Sequence, residues 1–106
     1  MKITNTDFIA NKEIVEVLDL VKGNVIQAKH IGKDISAVFK QLVGGEIREY
    51  TEMLEESRQQ SVDRMIKEAE KLGADAVIGL RFGTSQVMQG AAEMVAYGTA
   101  VKFKKK

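Results

Sequence analysis

The sequence predicts an α+β domain, a small antiparallel sheet packed on one long and one short helix, and three observations predict it. Apolar or small residues recur in steps of three and four through residues 46–72, which is the spacing that lines one face of a helix. Apolar residues alternate with period two in residues 13–21, 74–82 and 93–103, as they do in strands. The resulting order (strand, strand, short helix, long helix, strand, strand) places antiparallel strands on one layer and helices on the other.

Residues 1–12 are polar and irregular, with Ile3, Phe8 and Ile9 as anchors, and they support a short edge strand. In residues 13–21, Ile14, Leu18 and Leu20 fall on one face while Val15, Val17 and Val21 fall on the other, so both faces are apolar. Gly23-Asn24 reads as a turn, and residues 25–29 resume an extended pattern, giving a hairpin or one bent strand. Asp34 caps a short helix whose positions Ile35, Val38, Phe39, Leu42 and Val43 follow i, i+3, i+4, i+7, i+8 until Gly44 ends it.

The long helix follows the breaker Gly44-Gly45. Its stripe runs Ile47, Tyr50, Met53, Leu54, Ser57, Ser61, Met65, Ile66, Ala69 and Leu72, with no Pro or Gly inside it. Glu46 and Glu49 suit the amino-terminal end of the helix dipole, Lys67 and Lys71 suit the other end, and Gly73 suits a left-handed cap. At 1.5 Å per residue it spans roughly 40 Å, against a radius of gyration of about 13 Å for a compact chain of this length. The helix outreaches its own subunit.

Residues 74–82 form a central strand with Ala74, Ala76, Ile78, Leu80 and Phe82 on one side and Asp75, Val77, Gly79 and Arg81 on the other. The polar residues 83–92 read as a loop. In residues 93–103, Val95, Tyr97, Thr99, Val101 and Phe103 share one face, and the small Ala96, Gly98 and Ala100 on the other let a helix approach closely.

A chain of 106 residues makes one domain, residues 1–106. Without Cys it has no redox thiol, no thiolate metal site and no need of an oxidising compartment. Its first residues are too polar for a signal peptide, and no 18 apolar residues run together, which predicts a cytoplasmic protein without a membrane span. Lys102, Lys104, Lys105 and Lys106 are four of 16 basic residues, leaving 12 against 15 acids, so the body carries minus three and does not resemble a nucleic-acid groove. Helices on one side of the sheet cannot cover apolar residues on both faces of its strands, and large exposed apolar patches are rare on monomers. A closed homo-oligomer is the simplest remedy.

No group of side chains adds up to a reaction centre. His30 is the sole histidine and reads as a surface residue between Lys29 and Ile31. Glu49, Glu52 and Glu56 share a helix face that could hold a hard cation, although a solvated acidic face is the default reading. Arg58 follows Tyr50 and Leu54 on one side of the helix and can pair with Glu55 or reach across a subunit contact. Tyr97 and Thr99 can line a pocket between subunits.

Leu42-Val43-Gly44-Gly45, Tyr50, Leu54, Arg58, then residues 72–79 (Leu-Gly-Ala-Asp-Ala-Val-Ile-Gly) and Gly98-Thr99-Ala100-Val101 give the whole chain a resemblance to the YbjQ-like family of small bacterial proteins. The resemblance implies a dodecin-like fold, a homopentamer and the family label of heavy-metal binding. Heavy metals prefer thiolate and imidazole ligands, so carboxylates, from one subunit or several, are the form metal binding would take here. Three readings follow, in order. The first is a non-enzymatic homopentamer, either a scaffold or a protein binding an unidentified small ligand between subunits, with Tyr50, Arg58, Asp75, Tyr97 and Thr99 as the candidate ligand residues. The second is a metal-binding protein, and the third an enzyme with an inter-subunit site using Tyr50, Arg58, Asp75 or Thr99. The sequence specifies no cofactor.

Overall fold

The computed structural model describes residues 1–28 and 48–105, with side chains from residue 51 onward in the helix. Its elements are β1 (Lys2–Ile3), β2 (Ile14–Ala28), α1 (Arg48–Lys71), β3 (Ala76–Met88) and β4 (Ala91–Phe103). The strands form one sheet in the order β1-β3-β4-β2. β4 is antiparallel to both β2 and β3, whereas β1 lies parallel to β3, so the sheet is mixed and not wholly antiparallel as the element order predicted. The chain leaves β1, builds β2 and α1, and returns beside β1 in the same direction, a crossover that only a parallel pair requires. The short helix expected at residues 34–43 and the Gly44-Gly45 turn lie outside the described residues.

α1 packs on one face of the sheet, mainly over β2 and β4. Its buried stripe is Ser57, Ser61, Val62, Met65 and Ala69, while Leu72, placed in the stripe by spacing, is exposed. Met65 and Val77, fully buried, contribute about 1.5–3 kcal/mol each by leaving water. The two buried serines satisfy themselves within the helix: Ser57 Oγ donates to the Met53 carbonyl and Ser61 Oγ to the Arg58 carbonyl, both at 2.8 Å. The helix ends in a Schellman motif. Gly73 at φ +73° donates its N–H to the Glu70 carbonyl at 3.0 Å, and Ala74 donates to the Ala69 carbonyl at 3.1 Å.

β2 runs unbroken through Gly23-Asn24, so the expected turn does not exist and the bent strand is the alternative that holds. Gly23 is there for space and not for a turn. A Cβ on it would collide with the Ser61 carbonyl oxygen, lie 2.5 Å from the Met65 nitrogen and lie 2.8 Å from the Arg64 Cβ. Helix backbone and strand backbone meet at this point.

Three register shifts correct the faces that strict alternation assigned. Shifts between Ile14 and Glu16 and between Val17 and Asp19 put Leu18 with Val21 against the core and turn Val17 and Leu20 outward. A third shift between Ile78 and Arg81, where Gly79 sits at φ +64°, puts Val77 and Leu80 toward the core and aligns Ile78 and Arg81 with Thr99 and Tyr97 on the opposite face. Phe8, expected as an anchor, is exposed, whereas Ile3 packs on the core. The loop expected at residues 83–92 is instead the far part of β3, a tight turn at Gln89-Gly90 with Gly90 at φ +81°, and the start of β4. Polar side chains on a solvent-facing hairpin imitate a loop in sequence.

These contacts set the cost of adding one methyl group. Gly23→Ala is expected to lower unfolding free energy by about 3 kcal/mol, because the obstructing atoms are backbone and cannot rotate away. Gly79→Ala, whose Cβ would meet nothing within 4 Å, costs only the left-handed backbone, about 1 kcal/mol. Urea denaturation of the two variants checks the ranking; equal losses would contradict the close approach.

Candidate functional site

Cross-strand registers sort the sheet into two chemically distinct faces. Under α1 lie Val21 and Gly23 of β2, Ala96, Gly98 and Ala100 of β4, and Val77 of β3, all buried. Ala96 and Ala100 are buried beneath the helix, whereas Gly98, expected to make room for it, makes room for β3 instead: a Cβ there would lie 2.6 Å from Val77 Cγ1 and 2.9 Å from the Ile78 carbonyl oxygen.

The opposite face is built in rows, one side chain from each strand. Val17 aligns with Val101 and Ala76, Leu20 with Thr99 and Ile78, Lys22 with Tyr97 and Arg81, and Ile26 with Glu93 and Ser85. Val17, Leu20 and Ile26 are 67%, 63% and 64% exposed. Tyr97, at the middle of the face, is flanked by the cations Lys22 and Arg81 in its own row. Arg81 is held by its Nη1, which donates to the Asn5 carbonyl at 3.0 Å and to the Leu80 carbonyl at 2.9 Å.

One end of this face is polar and internally bonded. The Glu93 carboxylate accepts from Asn24 Nδ2 at 3.0 Å and from Ser85 Oγ at 3.4 Å, and its carbonyl accepts from Thr84 Oγ1 at 2.9 Å. The face thus passes from an aliphatic end, through a row of Lys22, Tyr97 and Arg81, to a row in which Ile26 lies beside a bonded carboxylate. It can seat a partner surface, or orient a group that stacks on a phenol and carries negative charge.

The five residues singled out in sequence do not converge within one protomer. Tyr97 and Thr99 share the open face. Arg58 is half-buried on α1, which covers the other face, and its carbonyl receives the Ser61 hydroxyl. No ion pair joins it to Glu55 among the described residues. Tyr50 belongs to α1, and its side chain is outside the described residues. Asp75 is a latch between strands: its Oδ2 accepts the Phe103 N–H at 2.8 Å and its own N–H donates to the Val101 carbonyl at 2.9 Å. Lys22, Arg81, Leu20 and Ile26 were not picked out in sequence, and their alignment with Tyr97, Thr99 and Glu93 emerges only from the register.

Among the described residues no three of His, Cys, Asp and Glu gather as a metal site, and His30 lies outside them. Glu52 and Glu56 are exposed. A cleft of about 370 Å³ between β2 and α1 is lined by Lys22, Arg64, Lys67 and Lys71, with Glu68 bonded to Lys71 at 3.3 Å. Arg64 Nη1 donates to the Asn24 carbonyl there. Lys104 and Lys105 are exposed and Lys102 is half-buried, with Lys104 Nζ 3.6 Å from the Glu13 carboxylate.

Residues 1–104 match a family model described as "Putative heavy-metal-binding". The chain is 62% identical over 105 residues to a UPF0145 protein of Thermosipho africanus, covering 99% of this chain and 97% of that one. It is 63% identical over 105 residues to a UPF0145 protein of Fervidobacterium nodosum, with the same coverage. A UPF0145 protein of Archaeoglobus fulgidus is 58% identical over 102 residues, 96% of this chain and 94% of that one. Among solved structures, a DUF74-family protein of unknown function from Pediococcus pentosaceus superposes with a TM-score of 0.60 at 20% identity over 98% of each chain, which shows a shared fold.

Asp75→Ala is expected to lower stability by about 1 kcal/mol, because the Phe103 N–H loses its acceptor at an exposed position. Asp75→Asn, which keeps a carbonyl oxygen there, recovers most of that. Chemical denaturation of both variants checks this, and an Asn variant as unstable as the Ala variant would contradict the latch.

Proposed function

The chain belongs to the YbjQ-like family of UPF0145 proteins, and from that premise we propose that it is a non-enzymatic, self-assembling cytoplasmic protein, a homopentamer that binds a small ligand between subunits. One observation carries the reading: on the sheet face opposite α1, among the described residues, Val17, Leu20 and Ile26 stand more than half exposed around Tyr97 and Thr99. Apolar side chains grouped this way are stabilised by a partner surface.

The shape of the protomer supports the same reading. Its radius of gyration is 17.6 Å and its extents are 59 × 25 × 16 Å, against about 13 Å for a compact chain of similar length. Such a chain buries too little of its own surface to explain its apolar content. Tyr97 and Thr99, together with Arg58 from another copy, would complete a pocket that the described residues of one protomer do not form. The described residues contain no helix long and apolar enough to cross a membrane.

The donor set does not fit the metal in the family's description. Heavy metals are held by thiolate and imidazole, and the chain has no Cys and one His. Carboxylates such as Glu52 and Glu56 suit harder cations, and among the described residues they form no cluster.

Native mass spectrometry of protein purified without a metal-affinity tag tests assembly and ligand together. Five chains of 11.7 kDa with a reproducible adduct are expected, the adduct being lost in Tyr97→Ala. A bare monomer at tens of micromolar would overturn the reading. In equilibrium dialysis against zinc, copper and cadmium, the protein is expected to bind no more tightly than an unrelated acidic protein. Saturable binding of one such ion per chain would restore the metal reading.

A further inference from the structure

Arg64 is held at two points where α1 crosses β2. Its Cβ lies against Gly23, where a strand Cβ would come within 2.8 Å of it, and its Nη1 donates to the Asn24 carbonyl. That bond uses one guanidinium N–H and leaves the others in a planar fork that matches an anion with several oxygens. Lys67, three residues further along the helix, lines the same cleft of about 370 Å³. The neighbouring acids are engaged: Asp63 accepts from Gln59 Nε2 at 2.9 Å, and Glu68, which also lines the cleft, pairs with Lys71 at 3.3 Å. Among the described residues no carboxylate pairs with Arg64 or Lys67. Like charges at this helical spacing repel each other, and an anion between them removes the repulsion.

A second hollow of about 540 Å³ adjoins the first, sharing Glu68 and Lys71 and adding Leu20, Val21 and Leu72 beside Asp19. Leu72 is 42% exposed although its spacing puts it on the buried stripe, and Leu20 is 63% exposed. The Asp19 carboxylate accepts the N–H of Leu20 at 2.7 Å. Cationic at one end and largely aliphatic at the other, the two hollows suit a molecule with an anionic head and an apolar body. Glu68 and Asp19 repel a second anionic group, which disfavours a polyphosphate or a nucleic-acid backbone.

We propose that this cleft binds a small phosphate monoester, with the phosphoryl oxygens on Arg64 and Lys67 and the apolar part of the molecule against Leu20 and Leu72. A phosphate monoester carries a charge of about −1.5 to −2 near neutral pH and three acceptor oxygens, enough to engage the Arg64 fork and the Lys67 ammonium together. Gly23 takes part by leaving room for Arg64, so the glycine that lets the helix lie low also lets the arginine reach over the strand. The site is contained in one protomer and is separate from the Tyr97 face, so a monomeric protein would carry it too.

The test titrates the full chain, in whatever assembly it adopts, with phenyl phosphate by isothermal titration calorimetry at low ionic strength, where screening is weak. One site per chain is expected. Binding should weaken about tenfold or more in Arg64→Gln with Lys67→Gln, and stay within about twofold of wild type in Lys104→Gln with Lys105→Gln, which removes the same charge from the tail. Leu72→Ser should weaken phenyl phosphate about threefold and leave the weaker binding of inorganic phosphate unchanged. All five positions are exposed, so urea midpoints should match wild type. A second measurement uses the wild type alone: phenyl phosphate should slow acetylation of Lys67 by an N-hydroxysuccinimide ester about fivefold, read by mass spectrometry, without slowing that of Lys104. Absence of saturable binding, equal losses in the cleft and tail variants, or an unprotected Lys67 would overturn the site. Binding lost in Tyr97→Ala but kept in the Arg64 and Lys67 variant would assign phenyl phosphate to the other sheet face and overturn it as well. Inorganic phosphate or benzoate bound as tightly as phenyl phosphate would overturn the monoester assignment.

Discussion

Backbone meets backbone where α1 crosses β2, at Gly23 against Ser61 and Met65, and the rest of the fold is arranged around that contact. A helix can lie this low only if the surfaces on both sides are small. Gly23, Ala96 and Ala100 supply the sheet side, and Ser57, Ser61 and Ala69 supply the helix side. Serines serve there because each hydroxyl bonds back to its own helix, leaving no buried polar atom without a partner among the described residues. Holding α1 over β2 and β4 has a cost elsewhere, since the far half of β3 gains little cover from it.

Bulges decide what the protein shows to its surroundings. A strictly alternating β2 would send Leu18 and Leu20 to one face, yet the shift after Val17 separates them, with Leu18 inside beside Val21 and Leu20 outside. In β3 the left-handed Gly79 does the same, letting Val77 and Leu80 both reach the core. The outcome is a well-packed inner face and an outer face that keeps aliphatic side chains in water. A protein gains from such a face when another surface covers it.

The segment that leaves α1 ties these parts together. The Schellman motif at Gly73 turns the chain sharply, and Asp75 then clamps both Val101 and Phe103 of β4. Its carboxylate is engaged in holding strands, which explains why an acid in an otherwise apolar run need not be a ligand. Tyr97, in contrast, is 38% exposed, with Lys22 and Arg81 as its row neighbours.

Much of this was legible in the residues themselves. The step of three and four through Ser57, Ser61, Met65 and Ala69 specifies the helix and its buried stripe, because helical periodicity is local and the residues that set it are neighbours in the chain. Gly73 specifies its end for the same reason, and Ala96 and Ala100 announce the face that the helix covers, whereas Gly98 makes room for β3. Tertiary structure alone decided the direction of β1, the faces of β2 and β3, and the hairpin at Gln89-Gly90. Those depend on which strand lies alongside and where a bulge absorbs one residue, and a single slip reverses every side chain beyond it. Gly23 shows the division in one position: a glycine before an asparagine is a turn by local rules, and the backbone of a helix that follows later in the chain makes it the middle of a strand.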